Sequence, residues 1–296
     1  MAKTIHVARW QPYQASANHT VEGDLRVYQN LYSPQLGNRR DILLYLPPSY
    51  RHGDWRYPVI YMHDGQNLFD EVTSYAGEWH VDATMERLSR EGLAAIVVGI
   101  PNSGTRRAAE YSPFNDRQHG GGQGNLYLEF IINTVKPLVD RSFRTLPERQ
   151  NTGMIGSSLG GLISLYGFFH FPDHFGFIGA MSPSLWFANR AIFAAVRQAP
   201  FVPGKIYLDI GSHEFAGSGD DKTMLKTRKK PYNGSVAQLR DILAAKGYRP
   251  GQTLLYIEQA EAGHNELAWA NRLPVALRFL IGLTASDGPG PISDQR

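Results

Sequence analysis

The chain has 296 residues, of which 42% are hydrophobic and 19% are charged, a balance typical of a folded globular protein and too apolar for intrinsic disorder. Thirty Lys and Arg residues against 27 Asp and Glu residues leave a net charge of only +3, without a long run of like charge, so we expect no nucleic-acid partner. The absence of cysteine excludes disulfides, thiolate-ligated zinc and a cysteine nucleophile.

The predicted elements begin with two strands, 24–31 and 40–46, which are rich in β-branched and aromatic residues and suggest an antiparallel entry into a sheet. From there short apolar runs alternate with helical patterns. Further strands are predicted over 57–62, 94–100, 151–156, 176–181, 205–210 and 252–258. Helices are predicted over 81–90, 126–141, 159–170, 189–197, 235–246 and 265–281.

This alternation predicts an α/β fold with a mostly parallel eight-stranded sheet and helices on both faces. No repeat and no linker divides the chain, so we expect one domain over 1–296, with a core at about 22–281 and a flexible tail over 282–296. No apolar run approaches the ~18 residues of a membrane span, and the first residues lack an apolar signal segment. We expect no membrane partner and a cytoplasmic location, or secretion if a signal peptide was trimmed.

Two long connections, 102–125 and 211–234, follow strand ends, where open α/β sheets bind ligands. The second connection carries five cations, Lys222, Lys226, Arg228, Lys229 and Lys230. A solvated surface loop is the ordinary reading of such a cluster, and steering of anionic substrates is the functional hypothesis.

The pattern G-x-S-x-G occurs as Gly156-Ser157-Ser158-Leu159-Gly160, between a predicted strand and a predicted helix. This is the context of the nucleophile in an α/β-hydrolase, where a strained turn exposes the serine hydroxyl to a base. We therefore predict an α/β-hydrolase fold with Ser158 as the nucleophile.

The base and the acid should follow Ser158 in the order acid, then histidine. Of ten histidines, four follow it: His170, His174, His213 and His264. His264 follows the last strand on a glycine turn and is predicted to be the general base. The acid is Glu214, in the loop after Gly211, or Asp209, inside the strand; we favour Glu214 because a loop carboxylate can turn toward the imidazole.

The oxyanion requires two backbone N–H donors, one from the residue after the nucleophile and one from the loop after an earlier strand. These donors are predicted to be Leu159 and Gln66, the latter in the segment His63-Asp64-Gly65-Gln66-Asn67. The His63-Asp64 pair lacks a third ligand at a matching spacing, so we expect no metal and no other cofactor.

Six separated blocks resemble the putative esterase family of α/β-hydrolases, which includes enterochelin, feruloyl and acetylxylan esterases, S-formylglutathione hydrolases and mycolyltransferases. The blocks are Tyr61–Phe69, Gly99–Asn102, Glu110–Pro113, Gly156–Gly161, Ser182–Trp186 and Gly263–Asn265. The resemblance implies Ser158, His264 and an acid at Glu214, with an oxyanion donor at Gln66. It also implies substrate-binding positions at Trp186 and Tyr111.

The sequence thus predicts a serine carboxylic ester hydrolase that forms an acyl-enzyme on a small-molecule or sugar-linked ester. Acyl transfer to an alcohol through the same triad is the alternative, and a non-catalytic binding protein on this scaffold is the third. The oligomeric state stays open.

Overall fold

The alternating pattern of strands and helices produces a nine-stranded sheet in the computed structural model, which describes residues 9–214 and 232–282. In spatial order the strands are β1 (Trp10–Pro12), β2 (Asp24–Ser33), β3 (Asn38–Leu46), β5 (Ile96–Ile100), β4 (Val59–His63), β8 (Thr152–Ser157), β9 (Phe177–Met181), β10 (Lys205–Gly211) and β11 (Leu254–Gln259). Strands β1 to β3 pair antiparallel and join β5 antiparallel, whereas the neighbours from β5 onward are parallel. The carboxyl ends of the parallel strands therefore lie at one edge.

A separate hairpin consists of β6 (Asn115–Asp116) and β7 (Gly120–Gly121). The helices of the described residues are α1 (Val81–Arg90), α2 (Arg107–Glu110), α3 (Gly124–Phe130), α4 (Lys136–Ser142), α5 (Leu159–His170), α6 (Phe187–Gln198), α7 (Tyr232–Lys246) and α8 (Glu266–Ile281).

The helices cover both faces of the sheet because successive strand residues point to opposite sides. Helices α3, α5, α6 and α7 pack on one face, where alternate β4 residues such as Val59 and Tyr61 are buried. Helices α1 and α8 pack on the other face, over Ile60 and Met62. A parallel sheet covered in this way requires apolar residues on both strand faces, and all five residues of β4 are buried.

The predicted mostly parallel α/β architecture is confirmed, but the predicted strand number was wrong by one. The missed strand is β1, where Trp10, Gln11 and Pro12 pair with β2. The helix predicted over 126–141 is interrupted by a π-helical turn, Ile131–Val135, before α4. Pro137 lies in the first turn of α4 and lacks the N–H that a continuous α-helix requires.

Two expectations concern segments outside the description. The lysine-rich part of the connection after β10 and the tail beyond residue 282 lie outside the described residues. Among the helices of 9–214 and 232–282, none combines the length and apolarity needed to cross a bilayer.

Candidate active site

Ser158 occupies a strained turn between β8 and α5. Its backbone has φ 55° and ψ −120°, a conformation that costs a non-glycine residue energy and persists only where the surroundings impose it. The constraint comes from the neighbouring strand, because the Ser158 N–H donates to the carbonyl of Met181 in β9 at 3.0 Å. Its carbonyl accepts from Ser184 N at 2.9 Å. The side chain is half-buried at the carboxyl edge of the sheet.

Glycines are required around this turn because strand and helix pass in contact. A Cβ at Gly156 would lie 2.7 Å from His63 Cδ2 and 2.8 Å from the carbonyl carbon of Gly160. A Cβ at Gly160 would in turn lie 3.2 Å from His63 Cβ. The flanking glycines of the motif therefore serve close packing, while the positive φ falls on Ser158 itself.

A second serine, Ser184, lies against the Ser158 hydroxyl. The two Oγ atoms are 3.0 Å apart, and Ser184 is only 2% exposed. Ser184 belongs to the segment after β9 that also contains Ser182 and Trp186. No role for Ser184 was predicted from the sequence, although the segment Ser182-Pro183-Ser184 is one of the blocks that resemble the family.

His264 and Glu214 are in direct contact. His264 Nδ1 is hydrogen-bonded to Glu214 Oε2, with the imidazole 30% exposed and the carboxylate side chain fully buried. The helix cap of α8 is provided by Asn265, whose side chain accepts from Ala268 N at 3.0 Å, so capping does not require His264. The contact leaves His264 Nε2 as the nitrogen that faces away from the carboxylate.

The alternative acid, Asp209, is fully buried within β10. Its oxygens accept hydrogen bonds from Ser182 N at 3.0 Å, Tyr207 OH at 3.0 Å and Arg272 Nε at 2.8 Å. Burial raises the pKa of Asp209, and the neighbouring Arg272 guanidinium opposes that rise. The structure thus brings Glu214, and not Asp209, to the imidazole.

The predicted oxyanion loop follows β4 in a tight turn. Asp64 has φ 56°, and a short 3₁₀ turn covers Gly65–Asn67. A Cβ at Gly65 would lie 2.6 Å from Ile100 N, so the loop is pressed against the end of β5. In the described part of the chain, neither the N–H of Gln66 nor that of Leu159 has a protein acceptor. Both N–H groups are thus available to a ligand oxygen.

An ion pair fixes this loop. Arg107 donates to both oxygens of Asp64, Nε to Oδ1 at 2.7 Å and Nη2 to Oδ2 at 2.8 Å, and Asn102 Nδ2 adds a bond of 2.7 Å. Burial alone would raise the pKa of Asp64, but Arg107 and Asn102 hold it below its ordinary value. A further hydrogen bond links this loop to the segment after β5, since Gln66 Oε1 accepts from Asn102 N at 3.1 Å.

His63, which the sequence reading considered as half of a metal pair, is a buried structural residue. The Ser164 hydroxyl donates its proton to Gly160 O at 2.9 Å, so Ser164 Oγ must accept from His63 Nε2, 2.9 Å away. Because Nε2 then carries the proton of the neutral ring, His63 Nδ1 accepts from Tyr127 OH at 2.8 Å. Burial lowers the pKa of His63 to about 4. Within the described ranges no group of three or more His, Cys, Asp or Glu side chains is arranged to hold a metal ion.

The two predicted substrate-binding aromatic residues differ in exposure. Trp186 is half-buried, two residues after Ser184, and its ring meets His119 edge-to-face with centroids 5.0 Å apart. Tyr111 is completely buried, and its hydroxyl accepts from Asp64 N at 3.0 Å. Tyr111 therefore holds the turn at Asp64 in the predicted oxyanion loop, and its ring packs against His63. With no exposed surface, Tyr111 does not present itself to a ligand as the prediction of a substrate-binding position requires.

Comparison with known proteins gives a family and a fold. The family described as "Putative esterase" matches residues 33–280. "Uncharacterized protein YbbA" of Bacillus subtilis is 32% identical over 267 residues, 87% of this chain and 98% of that protein. The "Siderophore enterobactin esterase" of Emericella nidulans is 28% identical over 164 residues, 49% of this chain and 52% of that protein.

Solved structures agree with the fold. The structure of the siderophore hydrolase EstA from Aspergillus nidulans superposes with a TM-score of 0.69 and 22% sequence identity. The superposition covers 93% of this chain and 98% of that one. At this identity the superposition shows the α/β-hydrolase fold and no more.

Proposed function

Since the chain belongs to the putative esterase family of carboxylic ester hydrolases, we propose that it hydrolyses small-molecule esters of the siderophore type through Ser158, His264 and Glu214. The observation that carries the proposal is the imposed positive φ of Ser158, at the same sheet edge as the His264–Glu214 pair. Such strain is stored where a structure must present a side chain in one orientation.

In the proposed reaction Ser158 Oγ attacks the ester carbonyl while His264 Nε2 takes its proton. Glu214 holds Nδ1–H and stabilises the imidazolium that forms. The N–H groups of Leu159 and Gln66 donate to the developing oxyanion. His264 returns the proton to the leaving alcohol, and a water activated by the same imidazole hydrolyses the acyl-enzyme, so the ester yields one acid and one alcohol.

The substrate class rests on relatives. The matched proteins include siderophore esterases named for enterobactin, triacetylfusarinine C, salmochelin and bacillibactin. Ser184 contacts the hydroxyl of Ser158, and half-buried Trp186 lies two residues after Ser184 with its ring against His119. Trp186 and His119 would therefore give an aromatic wall beside the reacting serine. Such a wall would suit an ester that carries an aromatic group.

The test of the nucleophile uses two neighbouring serines. Ser158→Ala should lower turnover of enterobactin and of p-nitrophenyl acetate by about 10⁴ or more and abolish covalent labelling by a fluorophosphonate. Ser157→Ala is the matched control, since Ser157 lies within β8, and it should keep both properties. Labelling that persists in Ser158→Ala would contradict the proposed nucleophile.

The substrate class is tested by comparing kcat/KM for enterobactin, triacetylfusarinine C, feruloylated sugars and p-nitrophenyl esters. We expect the two siderophores to be preferred. A preference for the feruloylated sugars would assign the enzyme to sugar-linked esters. Product analysis with an added alcohol separates hydrolysis from transfer, because a transferase would yield a new ester instead of free acid.

A further inference from the structure

A buried polar network lies behind the proposed base and acid. Its members are Ser182, Asp209, Glu214 and Arg272, here called the acid network. The exposed fractions of these whole residues, backbone included, are 0%, 0%, 6% and 3%. Ser182 directly follows β9, Asp209 lies in β10, Glu214 lies in the loop after β10, and Arg272 lies in α8. Four polar residues buried together require mutual hydrogen bonds to offset their desolvation.

The two oxygens of Glu214 have different partners. Oε1 accepts from Ser182 Oγ at 2.6 Å and from Gly211 N at 2.7 Å, with Arg272 Nη2 at 4.0 Å. Oε2 is left for His264. The carboxylate is therefore held at one oxygen by fixed donors and directs the other oxygen at the imidazole.

Ser182 links this carboxylate to the arginine. Its hydroxyl donates to Glu214 and accepts from Arg272 Nη2 at 2.9 Å and from Trp269 Nε1 at 3.0 Å. Because both of these partners can only donate, the direction of the Ser182 O–H toward Glu214 is determined. Arg272 also donates through Nε to Asp209.

The charges of the network balance in only one protonation state of the site. Asp209, Glu214 and Arg272 sum to minus one, so a neutral His264 leaves one negative charge in a buried region. Protonation of His264 brings the total to zero. Arg272 Nη2 lies 4.0 Å from Glu214 Oε1, close enough for its positive charge to neutralise the Glu214 carboxylate. The negative charge of Asp209 offsets that of Arg272.

We propose that Arg272 and Asp209 are positioning residues for the ester hydrolysis: Arg272 fixes Glu214 through Ser182, and Asp209 cancels the arginine charge so that the carboxylate charge stays available to His264. The inference rests on the proposed function of His264 and Glu214. It gives Asp209, the rejected candidate for the triad acid, a role that acts through another residue.

Other charged groups also face the imidazole. Glu266, at the start of α8, interacts electrostatically with His264, and the ion-paired Asp64 and Arg107 interact electrostatically with Glu266. The substitutions below leave these groups unchanged, so a difference between variants reports on the acid network.

The experiment is the pH dependence of kcat/KM for p-nitrophenyl acetate, whose acid limb reports protonation of the base in the free enzyme. Asp209→Asn should move this limb to lower pH by on the order of one unit, because Arg272 is no longer offset. Arg272→Gln should move it to higher pH by a similar amount. The double variant should return the limb toward its wild-type position, and Arg272→Lys, which keeps the charge, should stay close to it.

A purely structural role would not produce shifts of opposite sign. Glu110→Gln is the matched control, because it disrupts another buried ion pair, Arg40–Glu110, at 2.8 Å, and it should leave the limb in place. Shifts in the same direction for Asp209→Asn and Arg272→Gln, or no shift for either, would overturn the proposal.

Two further measurements keep the test decisive. If Arg272→Gln does not fold, Asp209→Asn decides alone, read as the pH dependence of fluorophosphonate labelling of the folded fraction. Glu214→Gln should lower kcat by up to ~10⁴, against at most about tenfold for Asp209→Asn. Full activity of Glu214→Gln would refute the proposed triad, whereas absent shifts with an impaired Glu214→Gln would refute the acid network alone.

Discussion

Replacement of Arg107 by glutamine should impair catalysis by loosening the loop that is proposed to bind the oxyanion. The substitution removes the guanidinium group that binds both carboxylate oxygens of Asp64, at 2.7 and 2.8 Å. Asp64 lies two residues before Gln66, the proposed oxyanion donor. Asp64 adopts a left-handed backbone conformation. Its N–H donates to Tyr111 OH, and its carboxylate accepts from Asn102 and Arg107. Without Arg107 the turn that directs the Gln66 N–H loses its strongest constraint.

The magnitude follows from burial. Removal of one partner from a buried ion pair costs about 3–5 kcal/mol, because the remaining charge stays desolvated. The Asp64 side chain is 12% exposed, but that of Arg107 is 28% exposed, so water reaches the pair and a loss of about 2–3 kcal/mol in unfolding free energy is expected. Loss of a complete oxyanion donor costs ~10²–10³ in kcat. Because Asn102 and Tyr111 remain, we expect a fall of about 10- to 100-fold.

The assay measures kcat and KM for p-nitrophenyl acetate at matched folded fraction, with urea unfolding of the same samples. Most of the effect should appear in kcat, since an oxyanion donor acts in the transition state. Arg106→Gln is the matched control, an exposed arginine next in sequence that should change neither quantity. Unchanged kcat in Arg107→Gln, or an equal loss in Arg106→Gln, would refute the role of the ion pair.

Three more outcomes are expected. Because burial lowers the pKa of His63 to about 4, only the unfolded state takes up its proton between pH 6.5 and 4, so falling pH should remove up to ~3 kcal/mol of stability. Urea unfolding should show a weaker acid dependence in His63→Gln; equal slopes would contradict this. Gly156→Ala should lower the unfolding midpoint through its 2.7 Å contact, whereas Gly234→Ala, with open space around it, should not. EDTA should leave turnover unchanged, and activity restored by zinc would refute the metal-independent reading.

The local order of the site was predictable from the sequence because its signals are local. The strand, the glycine-flanked serine and the helix that follows are adjacent in the chain, and α5 begins and ends at the predicted residues, Leu159–His170. Asn265 likewise caps α8 as its residue type favours. Patterns of this kind require no knowledge of distant partners.

Features that depend on distant contacts were not predictable. Strand β1 has only three residues without apolar alternation, and it exists because β2 offers an edge at Arg26–Tyr28. Tyr111 is buried among residues distant in the chain, and its hydroxyl accepts a hydrogen bond from Asp64 N, 47 positions away. Arg272 carried one readable signal, since it lies on the apolar stripe of α8 with Trp269 and Leu273, where an unpaired charge would be costly.

The choice between Glu214 and Asp209 shows why strand position alone could not decide the acid. Asp209 lies within β10 and Glu214 lies three residues after its end. The loops that follow β10 and β11 are linked by a hydrogen bond from His213 N to Ala262 O at 3.0 Å. A Cβ at Gly211 would lie 2.1 Å from that same carbonyl oxygen, so only glycine permits the approach. This contact carries the loop after Gly211 to the turn that contains His264, and Glu214 reaches the imidazole. Asp209 lies two residues before Gly211, inside the sheet, where its neighbours on β9 and β11 are Met181 and Ile257. Its side chain accepts a hydrogen bond from Arg272 and does not reach the imidazole.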